Sequence, residues 1–280
     1  MLFFYGRFFI PYSPDANFRR AADSACLNAF LFLFLAACGF AIPRLPFNPM
    51  NEKIALITGG SSGIGLALAR QLAQLGYTLA LAARSPERLQ CAASEFPDNA
   101  HWFLCDVADP LAVGQLIADV DRQFGRIDIL ANVAGYAAVK SIPDTTLEDW
   151  RTTFDINVTS IYAATRACWP IFQRQRSGFV VNVSSMASRD PFPGFFAYAA
   201  AKAAVNMLTL TTAREGESIG VRAVCIAPGA VETPMLRSLF DSKMVPPDAA
   251  IHPDQVAQVI TDCITGQRDF TPGQTIFVEK

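Results

Sequence analysis

The stretch "IALITGGSSGIGLALARQLAQLG" (residues 54–76) decides the architecture. Ile54 to Gly59 carries no charge and no polar alternation, the pattern of a strand buried on both faces. Glycines at 59, 63 and 65 then turn the chain, and from Ile64 Leu and Ala recur at three- and four-residue spacing until Gly76 closes a helix. A strand that runs through a glycine turn straight into a helix opens an α/β alternation.

The alternation continues outward from it. "TLALAAR" (78–84), "AHWFLCDV" (100–107), "IDILANVAG" (127–135), "GFVVNVSS" (178–185), "VRAVCIAPG" (221–229) and "QTIFVE" (274–279) read as strands. Between them, helices are expected over 64–76, 85–96, 110–125, about 147–176, and a stretch holding "YAAAK" (198–202). Apolar strands separated by helices imply a doubly wound parallel sheet, covered on both faces. No Pro- or Ser-rich linker and no repeat interrupts residues 50–280, which read as one domain.

The 280 residues are 51% hydrophobic and 17% charged with a net charge of −2, enough for a substantial core and without the basic cluster that nucleic acid requires. A small molecule is the expected partner. Seven cysteines without a C-x-x-C pair read as buried thiols of a reducing compartment, and a cytoplasmic location follows. Two histidines, His101 and His252, have no second ligand at metal spacing, which argues against zinc chemistry and a Ser-His-Asp hydrolase.

Residues 1–49 form a hydrophobic extension. "ACLNAFLFLFLAACGFAI" (25–42) is nearly uncharged and borderline in length for a membrane span, with Arg19 and Arg20 before it. Three readings stand: an upstream extension before the domain start at Met50, a membrane anchor with a cytoplasmic domain, and a cleaved signal ending near "LAAC" (35–38).

"TGGSSGIG" (58–65) reads as T-G-x-x-x-G-x-G at the strand–helix junction, where a helix N-terminus offers N–H groups and a positive dipole end to a pyrophosphate. It has neither the G-x-G-x-x-G spacing nor the Lys of a nucleoside-triphosphate loop. Tyr198 and Lys202, four apart, share one helix face; by themselves they describe an aromatic packed under a snorkelling amine far more readily than a proton-transfer pair.

Together with "NVAG" (132–135), Asn157 in "DINV", Ser185 in "VNVSS", Tyr198 and Lys202 in Y-x-x-x-K, and "PGAVET" (228–233), the glycine turn resembles the short-chain dehydrogenase/reductase family over residues 53–280. The resemblance implies a Rossmann-like fold and a catalytic set of Asn157, Ser185, Tyr198 and Lys202, with the separation of thirteen residues selecting Ser185 over Ser184. A tyrosine hydroxyl ordinarily titrates near 10, so a base at neutral pH needs a nearby cation, which Lys202 would supply while holding ribose hydroxyls. Ser185 would hydrogen-bond the substrate oxygen, and Asn157 would order a water linked to Lys202. Val133 departs from the family's N-N-A-G at its second position.

The resemblance assigns Thr58, Gly59, Ser61, Ser62, Gly63, Ile64 and Gly65 to the cofactor turn, and Asp106 and Val107 to the adenine side. Asn132, Ala134 and Gly135 stand at the end of strand four, and Pro228, Gly229, Val231 and Thr233 line the nicotinamide end. After strand two stands Arg84 where an acidic residue would hold the ribose of NAD, which favours NADP(H) over NAD(H). Arg84 can equally be a solvated residue, and Ser62 does not supply a second basic group in the turn.

"PMLRSLFDSKMVPPDAAIHPDQ" (234–255) offers Met235, Leu236, Leu239, Phe240 and Met244 either as an apolar substrate wall or as a lid packed on its own core. "SRDPFPGFF" (188–196) adds aromatic candidates. The implied activity is an oxidoreductase acting on a carbonyl or secondary alcohol, expected as a homodimer or homotetramer. A non-catalytic cofactor-binding regulator and a membrane-anchored lipid-type ketoreductase are the competing readings.

Overall fold

A computed structural model describes residues 53–280; the extension 1–49, with its candidate membrane segment, lies outside the described residues. β1 (Ile54–Thr58), β2 (Thr78–Ala83), β3 (Ala100–Leu104), β4 (Ile129–Asn132), β5 (Gly178–Val183), β6 (Val221–Pro228) and β7 (Thr275–Val278) form one parallel sheet in the order β3-β2-β1-β4-β5-β6-β7. Every residue of β1 and β5 is buried, as their uncharged, mostly apolar sequences require, and the polar Thr58 and Asn182 are hydrogen-bonded where they lie. β3 differs from the fully buried strand expected over 100–107: it ends at Leu104, and as a sheet edge it leaves Trp102 and Leu104 exposed.

Local chemistry sets the helix limits. α1 (Gly63–Gln74) follows the glycine turn; α2 (Pro86–Ser94) and α3 (Pro110–Phe124) each start on a proline behind a Ser85 or Asp109 cap. Gly125 ends α3 in the left-handed conformation. The long helix expected over 147–176 is divided: α4 (Leu147–Phe154) passes through one π-helical turn, Asp155–Thr159, into α5 (Ser160–Gln175). α6 (Phe196–Gly216) carries Tyr198 and Lys202, and the short α7 (Pro234–Leu239) follows β6. α8 (Pro253–Thr265), which the sequence reading left unassigned, is entered through a capping box of His252 and Gln255.

Leu68 and Leu72 of α1, Leu89 of α2, and Val256 and Ile260 of α8 pack with β1, β2 and β6 in one apolar cluster. α3 packs on α5 and α4 on α6, while α6 lies along β5 and β6. Burial of the cysteines follows the core: Cys105, Cys168, Cys225 and Cys263 are buried, but Cys91 on α2 is exposed, contrary to the expectation of uniformly buried thiols. Among the described residues no helix is long and apolar enough to cross a membrane.

Candidate active site

Strand order reverses between β1 and β4, so the loops after these strands part and leave a crevice at their C-terminal ends. A cleft of about 950 Å³ opens there. Its floor is the glycine turn. Gly59 has φ +70°, and a Cβ on it would stand 2.9 Å from the Ala134 backbone; one on Gly65 would stand 2.3 Å from the Gly59 carbonyl oxygen. Ser62 starts α1 without a side-chain cap, and no acidic residue occupies the first turn. Ser62, Gly63 and Ile64 thus present an uncapped helix N-terminus to the cleft, a fit for a pyrophosphate.

Beyond the turn, Arg84, Arg88, Asp106 and Val107 line one end of the cleft. Neither guanidinium has an ion-pair partner among the described residues. Arg88 escaped the sequence reading: it stands in the first turn of α2 while Arg84 precedes the Ser85 cap, so no helical spacing links the two, and the fold of the β2–α2 junction brings both to the cleft.

At the other end, Tyr198 and Lys202 converge from α6. Lys202 is 4% exposed; its Nζ donates to the Val183 carbonyl at 2.9 Å and stands 5.6 Å from the Tyr198 ring centre. Burial lowers the Lys202 ammonium from its ordinary 10.5 to about 8. Burial also raises the Tyr198 hydroxyl, and a hydrogen bond with Ser185 opposes that rise. The expected depression of the tyrosine by its lysine is not what acts here: desolvation raises the hydroxyl, and the group that opposes it is Ser185.

The two adjacent serines have different surroundings. Ser184 donates to the Lys202 carbonyl at 2.9 Å and so ties β5 to α6. Ser185 accepts from Ala187 N–H at 3.1 Å, which occupies a lone pair and leaves its proton for another acceptor. Asn157, fully buried in the π-helical turn, donates to the carbonyls of Tyr136 and Thr153, both at 2.8 Å, and accepts from Tyr136 N–H. Both donors being engaged, only its oxygen is left for a water. A Cβ on Gly135 would lie 3.1 Å from that oxygen and 3.6 Å from Lys202 Nζ, so the three groups meet at one point.

Ser61, Asp106, Ala134, Gly135, Pro228, Gly229, Val231 and Thr233 also line the cleft. Thr58, Gly65, Asn132 and Asn157 lie behind its wall. Thr58 accepts from the N–H groups of Val133 and Ala134, and Asn132 donates to Asn182 at 2.8 Å, which in turn donates to Thr209. Asp190 and Met186, absent from the sequence reading of the site, line it as well; only the fold of the loop after β5 brings them there.

Residues 53–244 match the model of the family described as short chain dehydrogenase. A 2,3-dihydro-2,3-dihydroxybenzoate dehydrogenase of Bacillus subtilis is 37% identical over 194 residues, 68% of this chain and 74% of the relative. Among solved structures, "ElxO with NADP Bound" has a TM-score of 0.75 at 26% identity, covering 82% of this chain and 98% of that one. A 3-ketoacyl-(acyl-carrier-protein) reductase from Brucella melitensis, complexed with NADH, also has a TM-score of 0.75 at 26% identity, covering 81% and 96%. Likeness in sequence and in fold thus converge on the same group of enzymes, and this chain belongs to the short-chain dehydrogenase/reductase family of NAD(P)(H)-using oxidoreductases.

Proposed function

We propose that this chain interconverts a carbonyl compound and its secondary alcohol with NADP(H) as the preferred cofactor. The observation that carries the reading is the meeting of Tyr198, Lys202 and Ser185 at one end of a cleft whose floor is the glycine turn. When bound, the nicotinamide supplies hydride to the carbonyl carbon or takes it from the alcohol. Tyr198 gives its proton to the substrate oxygen in reduction and takes it back in oxidation. Ser185, with a lone pair held by Ala187 N–H, directs its own proton to that oxygen as charge develops there.

Lys202 is an ammonium below pH 8, close enough to Tyr198 to stabilise a phenolate and positioned to hold ribose hydroxyls. Asn157 fixes the turn beside Gly135 and offers one oxygen to a water near Lys202. Arg84 and Arg88, at the opposite end and without an ion-pair partner among the described residues, support a 2′-phosphate there and hence NADP(H) over NAD(H). The same reading takes the enzyme as a cytoplasmic homodimer or homotetramer.

An NADPH-linked screen of ketones and aldehydes tests the reading. On an accepted substrate, Tyr198→Phe lowers kcat by about 10²- to 10⁴-fold with NADPH binding retained; unchanged turnover would sink the assignment. Arg84→Ala raises KM for NADPH about tenfold and leaves that for NADH within a factor of about two, as the loss of one charge-assisted contact predicts.

A further inference from the structure

We propose that the substrate end of this cleft selects an aromatic, non-anionic carbonyl or alcohol, with Phe192, Phe195 and Phe240 forming the ring-binding wall and Asp190 excluding carboxylates. The inference rests on the oxidoreductase reading above and deepens it to a substrate class.

The wall is built from two separate segments. Phe192 and Phe195 come from the loop leading into α6, and Phe240 is the residue that ends α7. The Phe195 ring centre lies 5.0 Å from that of Tyr198 and 4.1 Å from that of Phe192. Phe240 meets Phe192 at 5.8 Å and Phe195 at 6.3 Å, both edge to face. With Phe195 buried against Tyr198 and Phe192 left exposed in front of it, the tilted rings offer an aromatic surface near the proton-transfer group, which suits another flat ring better than a flexible alkyl chain.

Internal packing consumes only part of that surface: Phe195, 7% exposed, is the buried base of the wall, and the rings in front of it stay open. Phe192 is 47% exposed and Met244 68% exposed, and α7 buries none of its six side chains completely. A lid packed on its own core would have absorbed them. The apolar area instead faces the cleft, where a ligand removes it from water.

Charge narrows the choice further. Arg237 is held by Glu232 and by the Val245 carbonyl, and Arg189 is held by Glu279 and lies over the Phe277 ring. Lys243, beside Met244, is outside the lining. Among the described residues that line this end the one cation is Lys202, buried and bonded to Val183. Asp190 lines the same end, and its carboxylate has no ion-pair partner among the described residues. A carboxylate-bearing substrate would lose hydration, gain no cation and face a like charge.

The test uses the full chain with NADPH and three probes: acetophenone, 4-acetylbenzoate and 2-butanone. The expected kcat/KM for acetophenone exceeds that for each of the others at least tenfold. Phe240→Leu raises KM for acetophenone at least fivefold and KM for 2-butanone less than twofold; Asp190→Asn narrows the gap between acetophenone and 4-acetylbenzoate at least threefold. Calorimetric titration of the two aryl ketones into protein saturated with NADP⁺ reads the same selection without turnover. Equal affinity for both aryl ketones, or a preference for 2-butanone, overturns the proposal. Tighter binding of acetophenone with no carbonyl reduced keeps the selection and rejects the oxidoreductase reading; reduction of other carbonyls with no acetophenone binding does the reverse.

Discussion

Lys202 carries an energetic burden that its position makes measurable. Its ammonium is enclosed, so its folded-state pKa falls from 10.5 to about 8. Below pH 8 the lysine is charged in both folded and unfolded chains, and folding bears the full desolvation penalty. Between about pH 8 and 10.5 the unfolded chain holds more protons, so this residue makes stability rise with pH; as pH falls through 8 that gain is lost. Buried thiols such as Cys105, raised to about 11, act in the opposite direction above their ordinary 9.0, so the difference between wild type and Lys202→Met isolates the lysine. Urea unfolding should show the advantage of the variant shrinking by about 2 kcal/mol between pH 8 and 10; a constant difference would contradict it. That Tyr198 and Lys202 share a face was legible in the helical spacing of Y-x-x-x-K, whereas their reading as a proton-transfer pair came from Ser185, Asn157 and the glycine turn around them in the sequence. The direction of the tyrosine shift was not legible, because the depth of desolvation is set by α6 lying along β5 and β6.

At the level of elements, the glycine turn depends on contact more than on flexibility. Gly65 sits where a methyl group would come within 2.3 Å of the Gly59 carbonyl oxygen, and both atoms belong to backbone held between β1 and α1. Gly65→Ala should therefore destabilise the fold by about 1–3 kcal/mol and weaken NADPH binding together with it, read by the urea midpoint and by a cofactor titration. Gly76→Ala is the control: space is open around it, and only its φ of +80° opposes a side chain. The helices expected over 64–76, 85–96 and 110–125 could be read because glycine, proline and cap residues punctuate them in the chain. α8 had the same kind of signal, a proline at its first turn and Val256, Ile260 and Cys263 on one face. Reading 234–255 as a single substrate segment cut across that signal at its start. The π-helical turn at Asp155–Thr159 left no such trace, since one widened turn hardly disturbs an apolar period carried over two helices.

For the molecule as a whole, α5 and α6 present a groove of about 630 Å³ lined by Ile161, Tyr162, Trp169 and Leu208 among others. Tyr162 and Met207 stand out of these helices more than half exposed, and the buried Thr165 hydroxyl has no hydrogen-bond partner among the described residues. If the enzyme is the oligomer proposed, the double variant Tyr162→Asp, Met207→Lys should lower the mass seen by light scattering to that of a smaller species, with the circular dichroism unchanged. Parallel strands and helices on both faces were legible from apolar runs alone, whereas strand order depends on pairings between distant segments. That order bears on synthesis. β1 lies between β2 and β4, and its edge toward β4 waits from the making of β1 until Ile129 to Asn132, about seventy residues further along the chain than Thr58. At roughly 5–20 residues per second, a ribosome leaves that apolar edge unpaired for about 4–14 s. The crevice proposed to hold the cofactor is thus preceded, in the nascent chain, by an open seam that chaperones would have reason to guard.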